Sequence, residues 1–211
     1  KFGAVDSIIR KDGFKIAQNL DFQNMNLNLN SMSKTVGLGI IELSSAFKKL
    51  NPDYVLTVGD RYETMATALS AIYLNIPLIH TMGGERTGSI DESIRHAISK
   101  LSHIHFVSNL DSKKRLIKMG ENSKTVFNVG CPRIDIVKKT ISNYSKKNFF
   151  DELNSLGVGC NIKFKEKIIV VLQHPVTSEY FDAKKNFMAT FNAVKKFVPK
   201  YKIVYLWPNS D

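Results

Sequence analysis

The sequence predicts an α/β fold built on a parallel sheet. Three observations carry this. Short apolar runs of strand length alternate with longer segments whose apolar residues recur at helical spacing. Each apolar run gives way to Gly, Pro, Asp or Asn. Strand, helix and strand then follow one another at the spacing of right-handed crossovers between neighbouring parallel strands.

The elements can be justified in order. The first fifth of the chain is the least readable, and Asn19–Asn30, with five Asn and isolated apolar residues, reads as an extended loop. Ser33–Leu50 places Val36, Ile40, Leu43, Phe47 and Leu50 on one face and predicts a helix. Asn51-Pro52-Asp53 stops it. Tyr54–Val58 is a short buried strand ending at Gly59-Asp60-Arg61, and Ala-rich Tyr62–Leu74 returns to helical spacing. Ile76–His80 is a second strand, followed by a glycine-rich loop over Met82–Gly88. Ile90–Leu101 reads as a helix with Ser89 or Asp91 near its start. Ile104–Val107 is a third strand, Asn109–Met119 a helix ended by Gly120, and Val126–Val129 a fourth strand.

Beyond Ile134 the pattern loosens. The expected organisation is one unit over 1–137, a linker region rich in Lys, Asn and Ser over 138–167, with a connecting helix, and a second unit over 168–211. That second unit has strands at Ile168–Leu172 and Lys202–Leu206 and a helix over Ala183–Phe197, too little to hold a core by itself.

Composition bounds the function. The 211 residues fit one large domain, or one domain and part of another, at about 100–200 residues per domain. A hydrophobic fraction of 43% and a charged fraction of 23% are globular values and exclude wholesale disorder. No apolar run is long enough for a transmembrane helix, and KFGAVDSIIRKDGF lacks the apolar core of a secretory signal. Cys131 and Cys160 are too few for a disulfide framework, which fits a reducing compartment and a cytoplasmic location. The net charge of +11 comes mostly from scattered lysines. They form no stripe interleaved with aromatic residues, so the expectation is surface solvation, with neither a nucleic acid nor a membrane as partner.

Ligands of open parallel sheets collect beyond the carboxyl ends of the strands. Four polar clusters fall there: Asp60-Arg61; His80 with Gly83-Gly84-Glu85-Arg86; Asp91-Glu92 with Arg95-His96; and His174, with Asn209 after the last strand as a possible neighbour. Each has a plainer reading. Asp60 could simply cap the following helix. The glycine pair could be a tight turn, although it would also bring backbone N–H groups to a phosphate or a sugar. Asp91 with Arg95, and Glu92 with His96, could be helical ion pairs. His174 could be a buried, satisfied histidine. His80, His103 and His105 lack partners at metal-ligand spacing, so no metal site is expected. The G-x-S-x-G elbow, the P-loop and the G-x-G-x-x-G fingerprint are all absent. What remains is an acid/base set of carboxylates, arginines and a histidine, suited to proton transfer on a small anionic substrate without a cofactor.

The run PDYVLTVGDRYETMATALSAIYLNIPLIHTMGGERTGSIDESIRHAISKLSHIHFV resembles the hydrolysing UDP-N-acetylglucosamine 2-epimerases of sialic-acid-type sugar biosynthesis. MGENSKTVFNVGCPRID, LQHPVT and LWPNSD continue the match in the same order. The resemblance implies a GT-B type fold, with two Rossmann-like domains across a cleft. Relatives are nearly twice as long, so this chain is expected to be a fragment, inactive alone, lacking the first strand and helix of its N-terminal domain and most of its C-terminal domain. The implied reaction eliminates UDP across C1 and C2 and hydrates the glycal. N-acetylmannosamine is the product from the usual substrate, and UDP-N,N'-diacetylbacillosamine is the alternative substrate. A non-catalytic UDP-sugar-binding protein is a further alternative. By motif, Asp60 and Asp91 match catalytic acids, Arg61 and His174 match UDP contacts, and Asn209 matches an asparagine near the nucleotide. Glu85 is expected as a further catalytic residue, unless another acid serves or the activity or substrate has shifted, and Arg95 as a further substrate contact. A homo-oligomer is implied for the full-length protein. One departure stands out: many relatives read His-Ile-Glu-Gly-Gly-Glu, whereas HTMGGE here puts Met82, which cannot transfer a proton, at the first Glu.

Overall fold

The computed structural model describes residues 5–22, 29–143, 145–175 and 181–208. It divides into two compact units, Lys1–Cys131 and Pro132–Asp211.

The first unit runs α1 (Val5–Lys11), α2 (Leu29–Leu50), β1 (Val55–Val58), α3 (Tyr62–Tyr73), β2 (Leu78–Thr81), α4 (Ile90–Leu101), β3 (Ile104–Val107), α5 (Leu110–Lys118) and β4 (Val126–Asn128). The four strands form one parallel sheet in the order β1-β2-β3-β4. Val55 pairs with Leu78, Thr57 with His80, His80 with His105, and His105 with Val126, so these residues share one face, and all are buried. Val55 and Leu78 join Ala68 and Ala71 of α3 and Ile98 of α4 in one apolar cluster. Val107 and Val126 join Leu116 of α5 in a second. Leu56, Val58 and Phe127, on the opposite face, are exposed.

Element by element, the apolar runs locate the strands and the 3.6 period the helices. The helix at α4 and the strand at β3 fall on the expected residues. Two features differ. α1 lies in the stretch that sequence patterning leaves unread, and α2 begins ahead of Ser33. Part of the expected loop over Asn19–Asn30 lies outside the described residues.

α2 also packs through smaller side chains than its large apolar residues suggest. Its most buried positions are Ser31, Thr35, Gly39 and Ala46, with Val36, Ile40, Leu43 and Phe47 half-buried and Leu50 exposed. The reason is a close crossing with α3. A Cβ on Gly39 would lie 2.9 Å from Ala66 Cβ and 3.0 Å from the Phe22 ring. Ser70 Oγ meanwhile donates to the Ile40 carbonyl at 3.3 Å. Gly39→Leu is therefore expected to force the helices apart. Overpacking of about 1–3 kcal/mol outweighs the gain of somewhat under ~1 kcal/mol in helix propensity, and urea unfolding would show a lowered midpoint.

The second unit contains α6 (Pro132–Asn143), α7 (Lys146–Leu156), β5 (Ile168–Val171), α8 (Ala183–Lys195) and β6 (Lys202–Tyr205), with β5 and β6 paired in parallel. The stretch expected to link two units is thus largely helical. Phe150 packs edge-on against Phe149 and Phe164, and Phe187 and Phe191 pack on Tyr205. Asn154 clamps the loop before β5 by bonding both the N–H and the carbonyl of Ile162. Among the described residues no helix is long and apolar enough to cross a membrane.

Candidate active site

In the first unit the carboxyl ends of β1 and β2 and the start of α4 carry the polar residues singled out above. After β1 the chain turns through Gly59, whose φ of +79° suits glycine. Asp60 follows, and then Arg61, the N-cap of α3, makes no side-chain cap bond. Arg61 grips Glu63 with two hydrogen bonds, Nε to Oε2 at 3.2 Å and Nη2 to Oε1 at 3.0 Å. The Asp60 carboxylate turns instead to Arg95 on α4, whose Nη2 donates to Asp60 Oδ2.

Arg95 is 3% exposed. Its Nη1 also donates to the Glu85 carbonyl at 2.6 Å, and its Nη2 reaches Thr87 Oγ1 at 3.4 Å. Burial lowers its pKa from the ordinary arginine value. A buried guanidinium needs such partners, because an unpaired one would carry a heavy desolvation penalty. The one cation ties together the loops after β1 and β2.

The loop after β2 lies flush on the helices. Met82 donates its N–H to the Phe106 carbonyl at 2.8 Å. Its φ of +61° is left-handed, at a cost on the order of 1 kcal/mol for a residue bearing a Cβ. A Cβ on Gly83 would lie 2.8 Å from Ser99 Oγ and 2.9 Å from His80 Nδ1. One on Gly84 would lie 2.6 Å from the Ser112 carbonyl oxygen. Both glycines are therefore required by close approach, and Gly84 also by its left-handed φ of +78°. Arg115 of α5 donates to the Gly84 carbonyl, and Ser108 Oγ, just past β3, donates to Glu85 Oε1.

Asp91 sits in the first turn of α4, where the helix end favours a negative charge, and accepts from Ser89 Oγ at 3.4 Å. Spacing allows it an ion pair with Arg95, but that guanidinium points inward to Asp60. Glu92 reaches back to the N–H groups of Thr87 and Gly88, both at 2.7 Å. Those bonds, Gly88's first, hold its carboxyl below the usual range. His96 lies 3.8 Å from Glu92, and burial lowers its pKa.

Beneath the loops lies His80, fully buried. Its Nε2 meets the Gly59 carbonyl at 2.8 Å and its Nδ1 meets Ser99 Oγ at 3.1 Å. Burial pushes its pKa down to about 4.

The fold thus brings Asp60, Glu85 and Arg95 together and puts Arg61 and Asp91 on the adjoining helix starts. His174 belongs to the second unit, beyond the end of β5, and Asn209 lies outside the described residues. Among the described residues no cluster of three or more His, Cys, Asp or Glu is placed to hold a metal ion. Two supporting residues escape sequence reasoning. Nothing in the pattern of α5 separates Arg115 from the surface lysines beside it, and Ser99 reads as an ordinary helix residue; His80, singled out by its strand-end position, lies beneath the loops.

The family model for UDP-N-acetylglucosamine 2-epimerase matches residues 5–211. The chain belongs to this family. A UDP-N,N'-diacetylbacillosamine 2-epimerase (hydrolysing) from Legionella pneumophila is 37% identical over the whole chain, which covers 53% of that relative. A UDP-N-acetylglucosamine 2-epimerase from Neisseria meningitidis is 31% identical over 85% of the chain, covering 45% of that relative. Among solved structures, the Neisseria meningitidis family member bound to UDP-N-acetylglucosamine aligns with a TM-score of 0.79 at 22% identity. That alignment covers 98% of this chain and 55% of the other. The fold is the α/β type of these epimerases, and the chain spans about half the length of the relatives it matches.

Proposed function

We propose that the complete protein is a hydrolysing UDP-sugar 2-epimerase. It removes the C2 proton of a UDP-2-acetamido sugar, expels UDP from C1, and adds water to the resulting glycal. The C1–O bond to UDP breaks, water supplies the new C1 hydroxyl, and a proton returns to C2 on the opposite face. The products are UDP and the free 2-epimeric sugar. The observation that carries this reading is family membership across residues 5–211.

The geometry supports a division of roles within it. Asp60 presents a carboxylate with one oxygen held by Arg95 and the other without a partner among the described residues, which suits a base aimed at one carbon-bound proton. Glu85, held through Ser108, is a second proton carrier, and it supplies the acid that Met82 cannot. Asp91, at the start of α4, is the third carboxylate of the set. Arg61 suits a diphosphate because its fork is permanently charged and binds bidentately. His174 and Asn209 are assigned to the nucleotide by motif alone. Arg95 is assigned to the substrate site through Asp60 and the glycine loop that it holds.

Of the two sugars, UDP-N,N'-diacetylbacillosamine is favoured. The Legionella pneumophila relative with that name matches over the whole chain at 37% identity, against 31% over 85% for the Neisseria meningitidis UDP-N-acetylglucosamine enzyme. Incubating the full-length protein with each sugar and following UDP release tests this. Faster release from the diacetamido sugar, by about tenfold or more in kcat/KM, is expected, since one well-placed polar or apolar contact is worth about 1–3 kcal/mol. Preference for UDP-N-acetylglucosamine would restore it as the substrate.

A further inference from the structure

We propose that His80 is a positioning residue for the reaction, setting the direction of the Asp60 carboxylate through the Gly59 carbonyl. The inference rests on Asp60 being the proton carrier assigned above.

Four contacts close a ring around the Gly59-Asp60 corner. His80 Nε2 meets the Gly59 carbonyl at 2.8 Å. His80 Nδ1 meets Ser99 Oγ at 3.1 Å. Ser99 Oγ lies 2.9 Å from the Arg95 carbonyl. Arg95 Nη2 donates to Asp60 Oδ2, and Asp60 is bonded to Gly59. The ring therefore grips the Gly59-Asp60 peptide at one end and the Asp60 carboxylate at the other. Gly59 has a φ of +79° and only open space where its Cβ would be. No side chain of its own fixes this peptide, so the hydrogen bond from below supplies what packing does not.

The chemistry fixes the tautomer. A backbone carbonyl only accepts, so Nε2 carries the proton and Nδ1 is an acceptor. The single Ser99 hydroxyl proton is shared between Nδ1 and the Arg95 carbonyl, so the firm hydrogen bond of the ring at His80 is the one from Nε2 to Gly59. Full burial keeps the ring neutral near neutral pH, with the pKa lowered to about 4. A solvent-exposed histidine could swap partners; this one, with 0% exposure, has no alternative. Gly83 ties the second loop to the same point, because its backbone passes where any Cβ would strike both Ser99 Oγ and His80 Nδ1.

Two substitutions separate positioning from simple packing. His80→Gln places an amide N–H near Nε2 and keeps the donor to Gly59. His80→Asn places its polar group near Nδ1 and loses that donor. The expected result in the full-length protein is near-normal kcat for His80→Gln, within about fivefold. For His80→Asn, kcat should fall about 30-fold or more with KM changed less than about threefold, the signature of a defect in the chemical step. Hydrogen exchange by mass spectrometry reads the same geometry without turnover. His80→Asn should speed exchange over residues 59–61 while His80→Gln leaves it unchanged. If the two variants match in kcat and in exchange, or if both losses follow thermal stability alone, the inference is overturned. If the wild type turns over no UDP-sugar, the functional reading fails, and the exchange result still decides whether His80 holds this corner.

Discussion

Under the proposed function, Asp60→Asn in the full-length protein is expected to cut turnover at least about a hundredfold, the scale of a lost acid/base group, while UDP still binds. Asparagine is nearly isosteric and can still accept a hydrogen bond from Arg95, so the corner after β1 should keep its shape. What it cannot do is take a proton from carbon. Nucleotide binding, proposed for Arg61, His174 and Asn209, should be spared. Isothermal titration with UDP and steady-state release of UDP measure the two separately. Turnover within a few fold of wild type would remove Asp60 from the chemistry. Loss of UDP binding would move it to the binding set instead.

Arg95→Met is the second large effect, and it should show in stability as well as in rate. Methionine fills much of the same volume without charge. It leaves Asp60 without its cation and the Glu85 carbonyl and Thr87 hydroxyl without their donor. Breaking a buried pair by removing one member typically costs about 3–5 kcal/mol. Asp60 retains 28% side-chain exposure and can recover some hydration, so about 2–3 kcal/mol is expected, as a drop in the denaturant midpoint. Turnover should fall about as far as in Asp60→Asn. Because both act through one carboxylate, the double variant should be little slower than either single one, a non-additivity that a double-mutant cycle detects. Additive losses would mean that Arg95 has a part in the reaction separate from Asp60.

Much of this was legible in the sequence because the signals were local. Gly59-Asp60-Arg61 follows an apolar run of strand length, and Gly83-Gly84-Glu85 follows another, so the sequence alone places both loops at strand ends. Asp91 and Arg95 are one helical turn apart, which correctly put them on one helix but suggested that they pair with each other. The partner of Arg95 is Asp60, 35 residues earlier, and no periodicity encodes a contact of that range. The same limit hid Arg115 on the Gly84 carbonyl and His80 on the Gly59 carbonyl, since a backbone acceptor leaves no mark in the sequence of its donor. α2 failed in another way. Its large apolar residues drew attention, whereas its closest packing runs through Gly39, where the absence of a side chain makes the contact.

Met82 holds a left-handed backbone in the loop after β2, next to the glycine pair. A shift of proton transfer to Glu85, held by Ser108 and aligned by Arg95 through its own carbonyl, is consistent with that arrangement.

The most direct test of the central claim uses the full-length protein with UDP-N,N'-diacetylbacillosamine and, in parallel, UDP-N-acetylglucosamine in deuterated water, followed by proton NMR. The expected result is release of UDP together with a free 2-epimeric sugar carrying deuterium at C2. Accumulation of a 2-epimer still joined to UDP, or a free sugar that keeps its original C2 proton, would contradict it.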